Sequence, residues 1–292
     1  MALRLTKALD AMDLITPTEA QRLLADYGLA PRKSAGQNFV IDPNTVRRIV
    51  REAGVQEGGT VLEIGPGLGS LTRALLETAG RVIAVEIDRG FVEVLHATID
   101  DDRLAIVHDD AMAVDIGALV RGEDGLGGPA ILVANLPYNL ATPLVAHSLE
   151  AGDAISSMYV MVQKEVGQRW AARPGDKLYA GISVKLALVA DVAVDINISR
   201  QVFLPVPNVD SVMVRIKRRA DAPALAEVAG VWTVIETAFS QRRKTLRRTL
   251  RALAPVEQVE AACAAAGIDP GERPEQLSPA QFVALAEHLL AD

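Results

Sequence analysis

The chain has 292 residues, of which 50% are hydrophobic, and it carries a formal net charge of −7. This ordinary globular composition excludes a chain that is basic throughout, so any contact with a polyanion has to come from local clusters of cations. The only cysteine is Cys263, which excludes a disulfide framework and a cysteine zinc cluster, and the four histidines show no metal-ligand spacing. No apolar stretch reaches membrane-spanning length and no signal peptide is evident, so we expect a cytoplasmic protein.

The first 29 residues are predicted to form a loose arm followed by one helix. Thr16 is placed to cap this helix, and Glu19 would complete a capping box. Further along, the polar pair Gln37-Asn38 precedes a second helix. The pair would serve either as a capping loop or as a lid over a bound ligand.

A glycine-rich loop follows a short strand rich in branched residues. The strand is predicted over 60–64 and runs into Gly65-Pro66-Gly67-Leu68-Gly69, after which apolar residues recur at helical spacing. This is the first strand–turn–helix unit of a doubly wound sheet, in which glycines let the backbone approach a ligand. The next strand, over 81–86, ends in Glu86, 21 positions after Gly65. That spacing is expected for a carboxylate that accepts hydrogen bonds from ribose hydroxyls.

Two kinds of cofactor fit such a loop. A dinucleotide fingerprint requires a final glycine where this chain has Ser70. The pattern present is Glu-x-Gly-x-Gly-x-Gly, from Glu63 to Gly69. This variant resembles the first motif of S-adenosylmethionine-dependent methyltransferases.

An acid also follows the third predicted strand, over 104–108. Asp110 is placed to accept a hydrogen bond from the adenine amine of such a cofactor. We favour Asp110 over Asp109 because the small Ala111 that follows leaves room for a ring. The alternative is that both acids are solvated turn residues.

The apolar run 131–134 ends in the tetrapeptide Asn135-Leu136-Pro137-Tyr138. The exocyclic amine of adenine is a poor nucleophile because its lone pair is delocalised into the ring. The side-chain carbonyl of Asn135 and the backbone carbonyl of Pro137 could accept from its two hydrogens, and Tyr138 offers a face on which a flipped base stacks. The motif alone is equally compatible with an ordinary strand-to-loop turn. A methyltransferase site is favoured because the glycine loop, the acid at the end of the next strand and this tetrapeptide follow one another in that order.

Alternating strands and helices are predicted from about residue 45 to 219. Besides the strands above, we expect a flexible insertion at 122–129, a fifth strand at 158–162, a helix that begins with 164–170 and ends near Pro174-Gly175, and a closing antiparallel pair at 186–198 and 211–216.

After a linker at 220–223, only helical patterns remain, at about 225–254, 256–266 and 279–290. The chain is therefore predicted to comprise an N-terminal arm and helix (1–29), an α/β domain (30–220) and a small all-helical domain (221–292).

Cations are concentrated in clusters although the chain is acidic overall. The densest cluster consists of Arg242, Arg243, Lys244, Arg247, Arg248 and Arg251. We favour RNA contact for it, because six cations within ten positions repel one another unless an anion is near. The alternatives are a solvated helix face and ion pairing with acids of the preceding domain.

Taken together, these motifs resemble the small-subunit (16S) ribosomal RNA adenine N6,N6-dimethyltransferase family. The matching stretches are RKSAGQNF at 32–39, LEIGPGLGSLT at 62–72, VEIDR at 85–89, DA at 110–111, NLPYNLATP at 135–143, VFLPVPNVDS at 202–211 and AFSQRRKTLRRTL at 238–250. They follow the family order from about residue 30 to the C-terminus.

The resemblance implies a class-I S-adenosylmethionine methyltransferase, a Rossmann-like doubly wound α/β sheet, with a small all-helical C-terminal domain that docks a ribosome precursor. It implies dimethylation of N6 on two adjacent adenosines near the 3′ end of small-subunit rRNA in a pre-30S particle, by a monomer without a metal. Three alternatives stay open: a large-subunit rRNA adenine methyltransferase, a DNA adenine methyltransferase, and an assembly factor on an inactive methyltransferase scaffold.

The resemblance also implies site residues. Cofactor contacts would come from Asn38, the backbone of Val40, Gly65, Gly67, Glu86, Asp110 and Asn135. Asn135, Pro137 and Tyr138 would hold the target adenine, and Phe203 would be the second aromatic that sandwiches it. Judged by its neighbours alone, Phe203 is a core residue beside a proline-rich turn. Leu136 stands where DNA adenine methyltransferases commonly have proline, and we expect it to alter the pocket that receives the first methyl group.

Overall fold

The structure is a computed structural model that describes residues 14–32, 36–122, 127–241 and 243–291. The strands, numbered in chain order, are β1 (Phe39–Val40), β2 (Thr60–Ile64), β3 (Arg81–Glu86), β4 (Leu104–His108), β5 (Ala130–Asn135), β6 (Ile155–Gln163), β7 (Ala190–Ile198), β8 (Phe203–Leu204) and β9 (Ser211–Arg218).

The α-helices are α1 (Pro17–Asp26), α2 (Pro43–Ala53), α3 (Ser70–Leu76), α4 (Arg89–Thr98), α5 (Ile116–Arg121), α6 (Ala141–Glu150), α7 (Lys164–Trp170), α8 (Gly181–Val189), α9 (Leu225–Phe239), α10 (Leu246–Thr249), α11 (Val256–Ala265) and α12 (Pro279–Leu289). Short 3-10 turns occupy Gly152–Ala154, Arg200–Val202, Leu250–Ala252 and Pro274–Gln276. No helix in the described part of the chain is long and apolar enough to cross a membrane.

Seven strands form one sheet in the order β4-β3-β2-β5-β6-β9-β7, and β1 pairs with β8 in a separate two-stranded sheet. The five strands from β4 to β6 pair in parallel. The strand order reverses at β2, which has β3 on one side and β5 on the other. In a doubly wound sheet the ligand crevice lies outside the carboxyl ends of the strands at this reversal. The predicted doubly wound α/β sheet is confirmed.

The sheet brings the sequence motifs to one edge. The glycine loop follows β2, Glu86 ends β3, and Asn135 ends β5. Because parallel strands align their carboxyl ends, residues that are far apart in the sequence meet there. Most residues in the interiors of β2, β3 and β5 are apolar and buried, as expected for strands that are covered on both faces.

Two predicted elements are wrong in part. The segment 186–198 was expected to be one strand, but residues 186–189 belong to α8 and the strand begins at Ala190. The apolar run has no periodicity that separates a buried helix from a buried strand. A tertiary contact stabilises the first turn of helix α8. The Ser183 hydroxyl accepts a hydrogen bond from the Ala180 N–H and donates one to the Arg169 carbonyl.

The single helix predicted at 225–254 is also interrupted, since α9 ends at Phe239 and α10 begins at Leu246. The N–H of Leu246 donates to the Glu272 carbonyl, and that of Arg247 donates to the Pro270 carbonyl. These long-range bonds replace the bonds that a continuous helix would make.

The described chain separates into two compact units. The first runs up to Lys164 and includes Asp195–Arg215, and the second comprises Glu165–Val194 and the chain from Ile216 onward. Helix α8 belongs to the second unit because Gly181 packs against Ile235 of α9. This grouping differs from the predicted boundary at residue 220, and the division into three domains stays a prediction.

Candidate active site

A cavity of about 570 Å³ opens at the carboxyl edge of the sheet, within the first unit. Its lining includes Arg32 and residues 36–40, the glycine loop, the segment around Glu86, and the loop that begins at Asn135. The volume lies in the range of about 300–1,000 Å³ that is typical of sites for small molecules and cofactors. The cavity is therefore our candidate active site.

The glycine loop needs glycine for two reasons. Gly65, Gly67 and Gly69 have φ values of +70°, +56° and +86°, which side chains rarely adopt. A Cβ on Gly67 would also lie 2.6 Å from the ring of Phe39. The loop can thus pass directly beneath Phe39, which lines the same cavity.

Glu86 is held at the end of β3 with 4% of its surface exposed. Its Oε2 accepts from the Gly67 N–H at 3.0 Å, and its Oε1 accepts from the Asp88 N–H at 2.9 Å. Burial raises the pKa of Glu86, the two backbone bonds oppose that rise, and the charge of Asp88 adds to it. Each carboxylate oxygen keeps lone-pair capacity, so Glu86 can accept further hydrogen bonds from hydroxyl groups.

Glu63 is a cavity residue to which the sequence analysis assigned no role. It is 1% exposed and lines the cavity, and its Oε2 has no hydrogen-bond partner among the described residues. Burial raises the pKa of Glu63 to about 8; the nearby Thr72 hydroxyl opposes that rise and the charge of Glu86 adds to it. The signal in the sequence was its place as the first residue of the glycine motif.

The side chain of Asn135 has a fixed orientation. Its Nδ2 donates to the backbone carbonyl of Asn38 at 2.7 Å, and a flipped amide would place two oxygens against each other there. The Oδ1 of Asn135 takes no part in this bond, so it can accept a hydrogen bond from another group. The Asn38 side chain in turn donates to the Gly36 carbonyl at 3.1 Å. Both asparagines line the cavity, and their predicted contacts to a cofactor stay predictions.

The remainder of the tetrapeptide is only partly presented to the cavity. Pro137 lines it, and its carbonyl accepts from the Leu140 N–H at 3.0 Å, which leaves one lone pair. The half-buried Tyr138 is anchored through its hydroxyl to the Ser211 hydroxyl at 2.7 Å. The Leu136 side chain is 2% exposed and outside the lining, while the Leu136 N–H donates to the Met161 carbonyl at 3.2 Å.

Two further predicted contact residues, Phe203 and Asp110, are not among the residues that line the cavity. Phe203 is 1% exposed and packs in the core with Tyr159 and Met213. Asp110 is exposed in the loop after β4, where its Oδ1 accepts from the Met112 N–H at 2.9 Å. In contrast, Val40, Gly65 and Gly67 line the cavity. The roles of all these residues stay predictions.

Comparison with known proteins identifies the family to which this site belongs. A family model described as ribosomal RNA adenine dimethylase matches residues 11–290. The chain belongs to the ribosomal RNA adenine dimethylase family. Two curated relatives are both named ribosomal RNA small subunit methyltransferase A. The protein from Thermobifida fusca is 48% identical over 276 residues, covering 94% of this chain and 96% of the relative. The protein from Streptomyces griseus is 50% identical over 285 residues, covering 94% and 95%.

Solved structures agree with the family assignment. A dimethyladenosine transferase from Plasmodium falciparum superposes with a TM-score of 0.66 at 25% identity, covering 84% of this chain and 94% of that chain. The 23S rRNA methyltransferase ErmE superposes with a TM-score of 0.61 at 28% identity, covering 87% and 100%. The predicted class-I methyltransferase fold is confirmed.

The second unit of this adenine dimethylase family member carries the densest basic cluster. Arg243 and Lys244 are exposed between α9 and α10, and Arg247 and Arg248 are exposed on α10. Arg247 forms an ion pair of 2.9 Å with Glu260. Arg242 was also predicted to contact RNA, but it lies outside the described residues. Within the described ranges, no group of three or more His, Cys, Asp or Glu side chains is placed to hold a metal ion.

Proposed function

We propose that this protein transfers methyl groups from S-adenosylmethionine to N6 of two adjacent adenosines near the 3′ end of small-subunit rRNA. The observation that carries the proposal is the amide of Asn135, which Asn38 orients at the wall of the cavity. Family membership supports adenine in ribosomal RNA as the substrate. The name that the curated relatives share supports the small subunit.

The residues of the cavity fit S-adenosylmethionine. The glycine loop provides a close approach of the backbone, and Glu86 provides a buried carboxylate for sugar hydroxyls. Glu63 adds a buried carboxylate oxygen that has no protein partner among the described residues. Both acids suit a ligand with hydroxyl and ammonium donors, whereas a dinucleotide would bring a pyrophosphate next to two carboxylates. When bound, S-adenosylmethionine supplies a methyl group on a sulfonium, which needs no acid to assist its departure.

The chain's own residues position the adenine amine. The Oδ1 of Asn135 accepts one amine hydrogen, and the remaining lone pair of the Pro137 carbonyl accepts the other. Two acceptors hold the amine so that its lone pair points to the methyl group, and Tyr138 supports the base from its position against Ser211. As the new N–C bond forms, the amine becomes acidic and its proton passes to water. Positioning therefore accounts for most of the rate enhancement.

The basic cluster Arg243, Lys244, Arg247 and Arg248, with Arg242, is proposed to bind rRNA phosphates in a pre-30S particle. Phosphate contacts by cations fix the register of a protein on a nucleic acid. We also propose that the protein acts on this precursor in the cytoplasm, as a monomer.

Nucleoside mass spectrometry tests this function. The protein would be incubated with S-adenosylmethionine and, in separate samples, unmethylated small-subunit particles, large-subunit particles and duplex DNA, with Asn135→Ala as the control. We expect N6,N6-dimethyladenosine only with small-subunit particles, and none with the variant. The similarity to ErmE supports one second candidate, a large-subunit methyltransferase, which would give product with large-subunit particles instead. No product in any sample, despite measured cofactor binding, would overturn both.

A further inference from the structure

An ion pair crosses the wall of the cavity between Arg32 and Asp88, two residues to which no role has been assigned so far. The Nη2 of Arg32 lies 3.0 Å from the Oδ2 of Asp88, and both residues line the cavity. The Asp88 side chain is 12% exposed, whereas that of Arg32 is 67% exposed. The Arg32 side chain therefore extends from the surface to the largely buried carboxylate of Asp88 in the cavity wall.

Asp88 is built into the loop that carries Glu86. Its N–H donates to Glu86 Oε1 at 2.9 Å, and its Oδ1 accepts from the Gly90 N–H at 3.0 Å, which caps α4. A displacement of Asp88 therefore moves a hydrogen-bond donor of Glu86. Asp88 also places a second negative charge beside Glu86, which the guanidinium of Arg32 offsets.

Arg32 belongs to a segment that is packed against the same loop. Its N–H donates to the Gln37 Oε1 at 2.8 Å, and its carbonyl accepts from the Gln37 N–H at 3.3 Å. Leu29 lies so close to Gly90 that a Cβ there would be 2.4 Å from Leu29 Cδ2. Gln37 also lines the cavity.

Helix α1, which precedes Arg32, packs behind the same wall of the cavity. Side chains of α1 share one hydrophobic cluster with Phe39 and Phe91. Phe39 and Phe91 contact edge to face, with ring centroids 5.2 Å apart. The segment that was predicted to be an N-terminal arm and helix thus contributes, from residue 14 onward, to the cofactor side of the first unit.

We propose that Arg32 is a positioning residue for the cofactor, and that its ion pair with Asp88 clamps Arg32 and its hydrogen-bond partner Gln37 against the loop that presents Glu86. The cofactor is then held between the wall residues 36–40 and the glycine loop. The inference rests on the proposed function, since it takes the cavity as the site of S-adenosylmethionine. An ion pair that involves an exposed arginine is weak, so we expect its contribution to cofactor affinity to be small.

A double-mutant cycle on the full-length protein tests the clamp. Affinity for S-adenosylmethionine would be measured by calorimetry, without RNA, for Arg32→Gln, Asp88→Asn and the double variant. Asparagine caps a helix as well as aspartate does, so Asp88→Asn removes the charge and keeps the cap. We expect each single change to weaken binding about two- to fivefold, and the double change to weaken it no further, because both remove one pair. Arg32→Lys should recover part of the loss.

Arg22→Gln is the matched control, because this exposed arginine of α1 pairs with Glu19 and Asp26 at 2.7 Å. It should leave cofactor affinity unchanged. In steady-state assays, Arg32→Gln should raise KM for the cofactor and leave kcat and KM for the particle unchanged. Unchanged affinity in Arg32→Gln, or additive losses in the double variant, would overturn the inference. The inference would also be overturned if the loss of affinity in Arg32→Gln were accompanied by a matching fall in Tm, because the change would then act on stability alone. A wild-type protein that binds no S-adenosylmethionine would instead overturn the proposed function.

Discussion

The side-chain amide of Asn135 donates a 2.7 Å hydrogen bond to the backbone carbonyl of Asn38, 97 positions earlier in the chain. The bond joins the loop after β5 to the segment before α2, and both line the cavity. A backbone carbonyl can only accept, so it determines which end of the amide faces it. The acceptor Oδ1 is thereby oriented before a substrate arrives.

Asn135→Asp should lower kcat about 100-fold, because the new carboxylate oxygen would be repelled by the Asn38 carbonyl and the acceptor would lose its orientation. Methyl transfer to small-subunit particles measures the effect. Asn44→Asp, on the exposed side of α2, is the control and should retain activity. An Asn135→Asp protein with wild-type kcat would contradict the proposed role of the amide.

Gly67→Ala should destabilise the protein by about 2–3 kcal/mol and weaken cofactor binding, because the methyl group combines an unfavourable φ with a collision against Phe39. Gly54→Ala provides the matched control. Gly54 has a similar φ of +72°, but a Cβ there would meet nothing within 4 Å, so we expect a loss of about 1 kcal/mol. Urea unfolding and calorimetry measure the two effects. Equal losses of stability in both variants would show that the Phe39 ring moves aside with no cost in free energy.

Glu63 should make the free energy of unfolding fall as pH rises. The unfolded carboxyl ionises near its ordinary pKa of 4.5, whereas burial raises the folded pKa of Glu63 to about 8. Between these values the folded state binds more protons, so stability declines with rising pH until about 8. Each unit of difference corresponds to about 1.4 kcal/mol, so the decline should amount to a few kcal/mol. Urea unfolding of wild type and Glu63→Gln from pH 5 to 8 measures it, and the variant should show the flatter curve. Parallel curves would mean that Glu63 is already ionised at pH 5.

Single alanine substitutions at Arg243, Lys244 or Arg248 should weaken binding to small-subunit particles. Each should also lower the slope of log affinity against log salt concentration by about 1, because each cation releases one counterion from the RNA. Arg247→Ala should have a smaller effect, since Glu260 already neutralises that arginine in part. Filter binding over a salt series measures both quantities, and cofactor affinity should not change. An unaltered slope in all four variants would remove this cluster from the RNA interface.

Several parts of the site could be predicted from local patterns. Glycines after a branched strand, an acid at the end of the next strand and the tetrapeptide after a later strand all leave signals within a few residues. Parallel topology then brings them to one edge of the sheet. The extent of α8 could not be predicted in this way, because an apolar run that is buried on all sides has no periodicity to distinguish helix from strand.

Side-chain exposure was harder to anticipate than position. Phe203 was predicted from the family resemblance to stack on the target base, yet its ring packs in the core beside Tyr159. Glu63 was recognised only as the start of a motif, although burial raises its pKa to about 8. Both outcomes depend on neighbours that come from distant strands and helices.

The sequence by itself determined the alternating strands and helices around the site, the glycine loop and the tetrapeptide that begins at Asn135, because turn glycines, strand-end polar residues and hydrophobic runs act over short distances. Only the tertiary structure decided the orientation of the Asn135 amide, the burial of Glu63 and the pairing of Arg32 with Asp88. These features arise where segments from separate parts of the chain pack together, and the free energy of a hydrogen bond or a buried charge depends on what surrounds it.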